Sequence, residues 1–247
     1  MSRPSNPGTP AVGQEAHEAS AYAVVRLLQL GDSALPIGRY VHSLGLEALL
    51  DHDPSLGVVE LAEVVQSFVM EGVARLDAVA VAEAHRLASR RDVAGLINLD
   101  RALTTRKLTP AGRRASQTCG SQLAVLAKSL ASDPTLNSYC EALRSDSTDG
   151  NLAIVEGALS AALSVPCTWA VLMMLRGSAA GLLSASVRLG RLSATRAQRL
   201  LRECEPTIIR AAEDALSCSW PETFSGAFEL EIHAMRHGRA ESRLFMT

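Results

Sequence analysis

The sequence predicts an all-α protein, a single-domain multi-helix bundle, and three observations lead there. Hydrophobic residues make up 47% of the chain but aromatics only 4%, so the core must be built from Leu, Val and Ala, a palette that favours close-packed helices over sheets. Apolar residues recur at i, i+3, i+4 and i+7 in nearly every segment after residue 20, and no persuasive strand alternation interrupts them. At 247 residues without a repeat period, the chain suits one domain with a sizeable core.

The first segment, residues 1–20, holds three prolines and no apolar run, so it reads as a flexible tail rather than a signal peptide. "AYAVVRLLQL" is a short apolar helix that stops at Gly31-Asp32-Ser33. Pro36 and Gly38 break the chain, because Pro36 biases Leu35 away from helical geometry and Gly38 adds backbone freedom. From Arg39 to Leu50 the spacing of Val41, Leu44 and Ala48 predicts a new helix. "DHDPSLG" is a turn, with Ser55 placed to cap the following helix.

That helix, over 57–72, carries Val58, Leu61, Val65, Phe68 and Val69 on one stripe, and a further stripe runs from Val73 to Ser89. One helix or a pair spans Arg91 to Thr104. After the basic turn "TTRKLTP", Pro110 opens a helix to Leu130 that Asp133-Pro134 ends. "LRSDSTDGN" is a polar loop leading into "NLAIVEGALSAAL", where Gly157, Ala158, Ala161 and Ala162 permit close helix contact. Pro166 starts another helix through Leu189, and Thr195 caps one more through Ser217. The domain proper therefore spans 21–225, with a C-terminal tail at 226–247.

The most apolar stretch, 152–192, is divided by Glu156, Pro166, Arg176 and Arg188 into runs shorter than the roughly 18 residues of a membrane span. The net charge of −2 gives no pull towards nucleic acid or a membrane surface. The five cysteines are odd in number and show no CxxC pair, which reads as free thiols in a reducing cytoplasm.

"GRYVHSLGLE" concentrates the polar side chains that could act. His42 shares its predicted face with Leu46 and Leu49, the setting of a packed histidine rather than a general base. Tyr40, Ser43 and Glu47 form a polar strip beside it. Ser43 next to His42 lacks a nucleophile-elbow pattern, and adjacent helical side chains diverge by about 100°. In the tail, His233 and His237 stand four apart, a spacing that suits a divalent metal on a helix, although Gly238 weakens the helix there and no HExxH is present. The basic run Arg101, Arg106, Lys107, Arg113 and Arg114 has no interleaved aromatics and reads as a solvated turn. With no Walker loop and no GxGxxG, the chain shows no nucleotide site of its own.

Taken in order, these segments resemble the UreF family of urease accessory proteins. "LLQLGDSALPIGRYVHSLGLEALL" is similar to its N-terminal signature and "MRHGRAESRLF" to its closing one. "LDAVAVAEAHRLA", "RKLTPAGRRASQTCGSQL", "GNLAIVEGALSAALSVP" and "SASVRLGRLSATRAQRLL" resemble its middle motifs, so the likeness covers about residues 22–246. The resemblance implies a cytoplasmic, homodimeric, non-enzymatic scaffold in urease maturation. It would link UreD (UreH in some species) with the GTPase UreG, modulate GTP hydrolysis and assist nickel insertion into apo-urease. No intrinsic cofactor is implied, since the complex handles the nickel. The resemblance places the C-terminal tail, including Arg236, His237, Ser242, Arg243, Leu244 and Phe245, at the UreD contact, and the exposed start of the helix at Arg39 would present Tyr40, His42, Ser43 and Glu47 as a recognition and packing surface, not an active site. Two alternatives remain at this point: a nickel-holding chaperone using His233 and His237, and a helical enzyme using His42 and Glu47. Asn151, Ala194 and Gly238 depart from the family pattern, which commonly has His, Gln and Glu there.

Overall fold

Helix α1, Val12–Leu30, begins inside the stretch expected to be a tail. The structure, a computed structural model, describes the backbone of residues 12–237 and the side chains of residues 18–235. Only one edge of α1 reaches the core, through Ala23 and Leu30, while Arg26 donates to the Leu163 carbonyl at 2.7 Å.

The helix expected from Arg39 to Leu50 is not continuous. Arg39–Val41 is a single 3₁₀ turn, His42 is extended, and helix α2 starts only at Leu46–His52. Between them Leu44 and Gly45 take positive φ, +53° and +93°, which a right-handed helix cannot contain. The next rod runs unbroken through α3 (Val58–Ser67), a π-helical segment (Phe68–Ala78) and α4 (Val79–Ser89), where the sequence suggested two stripes. Its N-terminus is held by Glu60, which accepts from the Gly57 N–H at 3.0 Å. Ser55, expected to cap it, donates to Asp53 instead.

Side-chain caps set several of the later boundaries. Asp92 caps α5 (Val93–Arg106), Thr109 caps α6 (Pro110–Leu130) and Asp133 caps α7 (Pro134–Arg144), each oxygen accepting from a backbone N–H in the first turn. Asp133-Pro134 thus ends one helix and starts another. Helix α8, Leu152–Ala162, is the centre of the molecule, and every residue from Ala153 to Ser160 is buried. It crosses α4 at Gly157, where an added Cβ would stand 2.5 Å from the Val81 carbonyl oxygen, so only glycine permits the approach. Ala158 is fully buried as expected, whereas Ala161 and Ala162 are half-buried.

Helix α9, Cys167–Arg188, lies beside α8. By length and hydropathy α9 could cross a membrane, contrary to the division read from the sequence, but 67% of its most apolar window is buried inside the fold. The segment expected as one helix after Thr195 is two, α10 (Ala194–Glu203) and α11 (Glu205–Ser217), which meet at Cys204. Ser193, not Thr195, provides the cap. The chain then passes a 3₁₀ turn at Trp220–Glu222 and closes with α12, Phe228–His237. All five cysteines are free. Among the described residues there is no strand.

Candidate functional site

The sequence stretch around Tyr40 and the C-terminal helix come together in space. Gly45 makes this possible: a Cβ there would lie 2.2 Å from the Leu230 carbonyl oxygen and 2.8 Å from the Ala234 nitrogen, so the backbone of α12 rests directly on it. The consequence for the expected recognition strip is a correction. His42, Ser43 and Glu47 are buried, and only Tyr40, half-buried, and the exposed Val41 remain near the surface. The turn at Leu44 and Gly45 breaks the helix on which the strip was expected, and α12 packs against α2 just beyond it.

Arg39 anchors this turn to the core. Its guanidinium crosses α9 at Gly177, where a Cβ would be 2.4 Å from Nη1, and pairs with Glu156 of α8. The Glu156 side chain is 1% exposed, so the charge of each partner depends on the other. Burial pulls the Arg39 pKa below its ordinary value, partly offset by Tyr40 and Cys119. Burial likewise pushes the Cys119 thiol up against the opposing effect of Arg39, which makes it an unreactive packing group. Burial lowers the His42 pKa, which keeps its imidazole neutral at pH 7. Arg39→Lys keeps the charge but loses the planar fork, and we expect a stability loss of about 1–2 kcal/mol in urea unfolding. An unchanged midpoint would show that the guanidinium geometry is irrelevant to the pair.

Beside Arg39 lies a cavity of about 170 Å³, walled by the π-helical segment, α6 and α9 and roofed by residues 225–234. Its lining is mostly apolar, with the Lys107–Asp77 ion pair, 2.6 Å, along one wall. The basic run, read from the sequence as a solvated turn, is partly engaged: Arg101 and Arg114 are exposed, while Arg106, Lys107 and Arg113 are half-buried. Arg106 stacks over the Trp220 ring at 4.3 Å, Arg113 donates to the Lys107 carbonyl, and Arg101 donates to the Ser147 carbonyl.

Helix α12 has two faces. Its inner face packs Leu230, His233 and Ala234 into the body, so His233 is not a solvated tail residue. Its outer face leaves Phe228, Ile232 and Met235 at 59%, 45% and 48% exposure, and the nearby Phe224 is 49% exposed. These positions follow i, i+4, i+7, so they form one apolar stripe on the outside of the molecule. Sequence reading missed this stripe, although the spacing F-x-x-x-I-x-x-M carries the signal. The side chains of Arg236 and His237, and Ser242, Arg243, Leu244 and Phe245 altogether, lie outside the described residues. Among the described residues no group of three metal-ligating side chains converges.

Of the departures from the family pattern, Asn151 has a structural setting. It is fully buried, and its Nδ2 donates to Asp100 Oδ1 at 2.8 Å and to Thr104 Oγ1 at 2.7 Å. Ala194 is exposed in the first turn of α10, and Gly238 lies outside the described residues.

Comparison with known proteins agrees across most of the chain. A family model described as UreF matches residues 57–205. The urease accessory protein UreF 2 of Brucella canis is 31% identical over 226 residues, 90% of this chain and 91% of its own length. UreF 1 of Brucella melitensis is also 31% identical, over 90% of this chain and 92% of its own. The UreF of Yersinia enterocolitica is 28% identical over 229 residues, 92% of this chain and 99% of its own.

Proposed function

The chain belongs to the UreF family of urease accessory proteins, and from that premise we propose that it is a non-enzymatic scaffold of urease maturation. It links UreD (UreH) to the GTPase UreG, modulates GTP hydrolysis there, and assists nickel insertion into apo-urease as a cytoplasmic homodimer. No cofactor of its own enters this reading, and nickel is the cargo of the complex.

The observation that carries it is the outer stripe of α12. Three large apolar side chains at helical spacing, held on the body of the molecule by Gly45, form the kind of anchor row that an amphipathic helix presents to a partner. In the N-terminal signature Tyr40 is half-buried and Val41 exposed. The two competing readings lose support at the same place. His42 and Glu47 are buried, and His233 is buried on the inner face of α12 rather than solvated.

Co-purification with UreD and UreG tests the proposal. Phe228→Ser combined with Ile232→Ser should leave helicity intact, because both side chains are already exposed. We expect UreD capture to fall by about 3 kcal/mol of binding, on the order of a hundredfold. Capture at the wild-type level by this variant would remove α12 from the interface.

A further inference from the structure

Helices α6 and α9 meet the cavity beside Arg39 with small side chains. Gly112, Ala115 and Ser116 line it from α6, and Gly177, Ser178 and Gly181 from α9. Small residues normally let two helices close up, as Gly157 does for α8 and α4, yet α6 and α9 make little contact with one another. Gly181 shows the result most directly: it is buried, and a Cβ built there meets no atom within 4 Å. The third wall is the π-helical segment Phe68–Ala78, 11 residues long, which supplies Phe68, Val73 and Leu76. π-Helix is rare, occurs mostly as single turns and concentrates at functional sites, so a run of this length marks the open space as more than a packing defect.

The chemistry of the walls decides what can enter. Each cation there already faces a carboxylate, Arg39 that of Glu156 and Lys107 that of Asp77. The hydroxyls are engaged as well. Ser178 donates to the Met174 carbonyl at 2.9 Å, Ser116 accepts from the Leu152 N–H at 3.3 Å, and Ser225 donates to Glu231 at 2.6 Å. The second oxygen of Glu231 is fully buried, open to neither solvent nor the cavity. A charged ligand would leave water without gaining a free partner, whereas an apolar one gains by the transfer.

Size narrows the choice further. The volume of about 170 Å³ suits a single six-membered ring, since apolar cavities of about 150 Å³ take up benzene. Leu108 lines the cavity and is 49% exposed, so the space reaches the surface there. We infer that the space between α6, α9 and the π-helical segment is a binding site for a small, uncharged, apolar molecule about one ring in size, which enters beside Leu108. Leu230 and Ala234 of α12 lie in its roof, so an occupant and the docked helix stabilise one another by the same free energy. The site is independent of the scaffold reading, and its test does not use UreD.

Full-length protein is melted in buffer, in about 10 mM benzene, and in the same concentration of benzoate or of benzylamine hydrochloride. With a dissociation constant on the order of 1 mM, benzene should raise the melting temperature by roughly 3–5 °C, and neither charged ring should do so. Benzene should also slow hydrogen exchange within 68–77 and 225–234. Gly181→Leu fills the space without a clash at Cβ and removes a glycine from a helix interior. It should therefore melt at or above the wild type and bind benzene at least about tenfold more weakly. The exchange pattern of the wild type locates the site independently of that variant. No benzene shift in the wild type, an equal or larger shift with either charged ring, protection confined to other segments, or unchanged affinity in folded Gly181→Leu protein would each overturn the site.

Discussion

Replacing Asp100 by Ala is expected to cost at least about 4–5 kcal/mol, enough to lower the melting temperature by roughly 10–20 °C in a chain of this size. Asp100 is fully buried, yet it is surrounded by donors. Tyr139 donates its hydroxyl at 2.9 Å, Thr148 its hydroxyl at 2.7 Å, and the N–H groups of Asp149, Gly150 and Asn151 donate at 3.1, 2.6 and 2.9 Å. The Asn151 amide adds another bond at 2.8 Å. This one carboxylate therefore satisfies the loop that delivers the chain into the central helix α8. Each buried donor left without an acceptor costs about 1–3 kcal/mol, and several would be left at once. Tyr139 shows the same environment from the other side, since burial, reinforced by the Asp100 charge and hydrogen bond, raises its pKa well above the ordinary value. Tyr139→Phe deletes a single donor and should cost only about 1 kcal/mol. Thermal unfolding of the two variants checks the contrast, and an Asp100→Ala protein that melts with the wild type would mean the loop does not need its acceptor.

The same site explains what the sequence could and could not reveal. Helix α6 was legible to the residue, because Thr109 and Pro110 are local start signals, and the tight approach at Gly157 was legible from the small residues of α8. Asp100 gave no such signal. Its side-chain partners stand 39 to 51 positions away, and a lone Asp in an amphipathic helix looks like any surface carboxylate until the chain folds back on it. The split between α10 and α11 was likewise hidden, because Pro206 is tolerated in the first turn of a helix and does not announce a break. The candidate surface was half legible. Both the N-terminal signature and the C-terminal tail drew notice, but helical periodicity carried through Leu44 and Gly45 gave the wrong face. Ser43 and Glu47 consequently appeared exposed, His42 is the packed histidine that its place beside Leu46 and Leu49 suggested rather than part of an exposed strip, and the apolar stripe on α12 went unseen.

Gly45→Ala is the substitution that joins these two regions in one experiment. The mutation adds one methyl group, and the effect should be large for two reasons that act together. At φ +93° an L side chain is strained, which costs of order 1–2 kcal/mol. The new Cβ also meets backbone, the Leu230 oxygen at 2.2 Å and the Ala234 nitrogen at 2.8 Å, and neither can yield by a rotamer change. The least costly response is for α12 to lift away, because α12 is the last described element and shares its inner face mainly with α2 and α6. The core around α8 is packed chiefly by α4 and α6 and should remain folded. We therefore expect circular dichroism to keep most of the helical signal while limited proteolysis cuts within 224–237 much faster than in the wild type. UreD capture should fall along with that protection, since Phe228, Ile232 and Met235 would no longer be held at a fixed angle to the body. Gly38→Ala serves as the control: that glycine also has positive φ, +77°, but a Cβ there meets nothing closer than 3.8 Å. It should pay the strain and leave α12 in place. If Gly45→Ala binds UreD normally with α12 released, the angle of the helix is irrelevant and its apolar stripe alone suffices. If α12 stays protected, the chain has absorbed the clash elsewhere, and the seam at Gly45 is softer than its geometry implies.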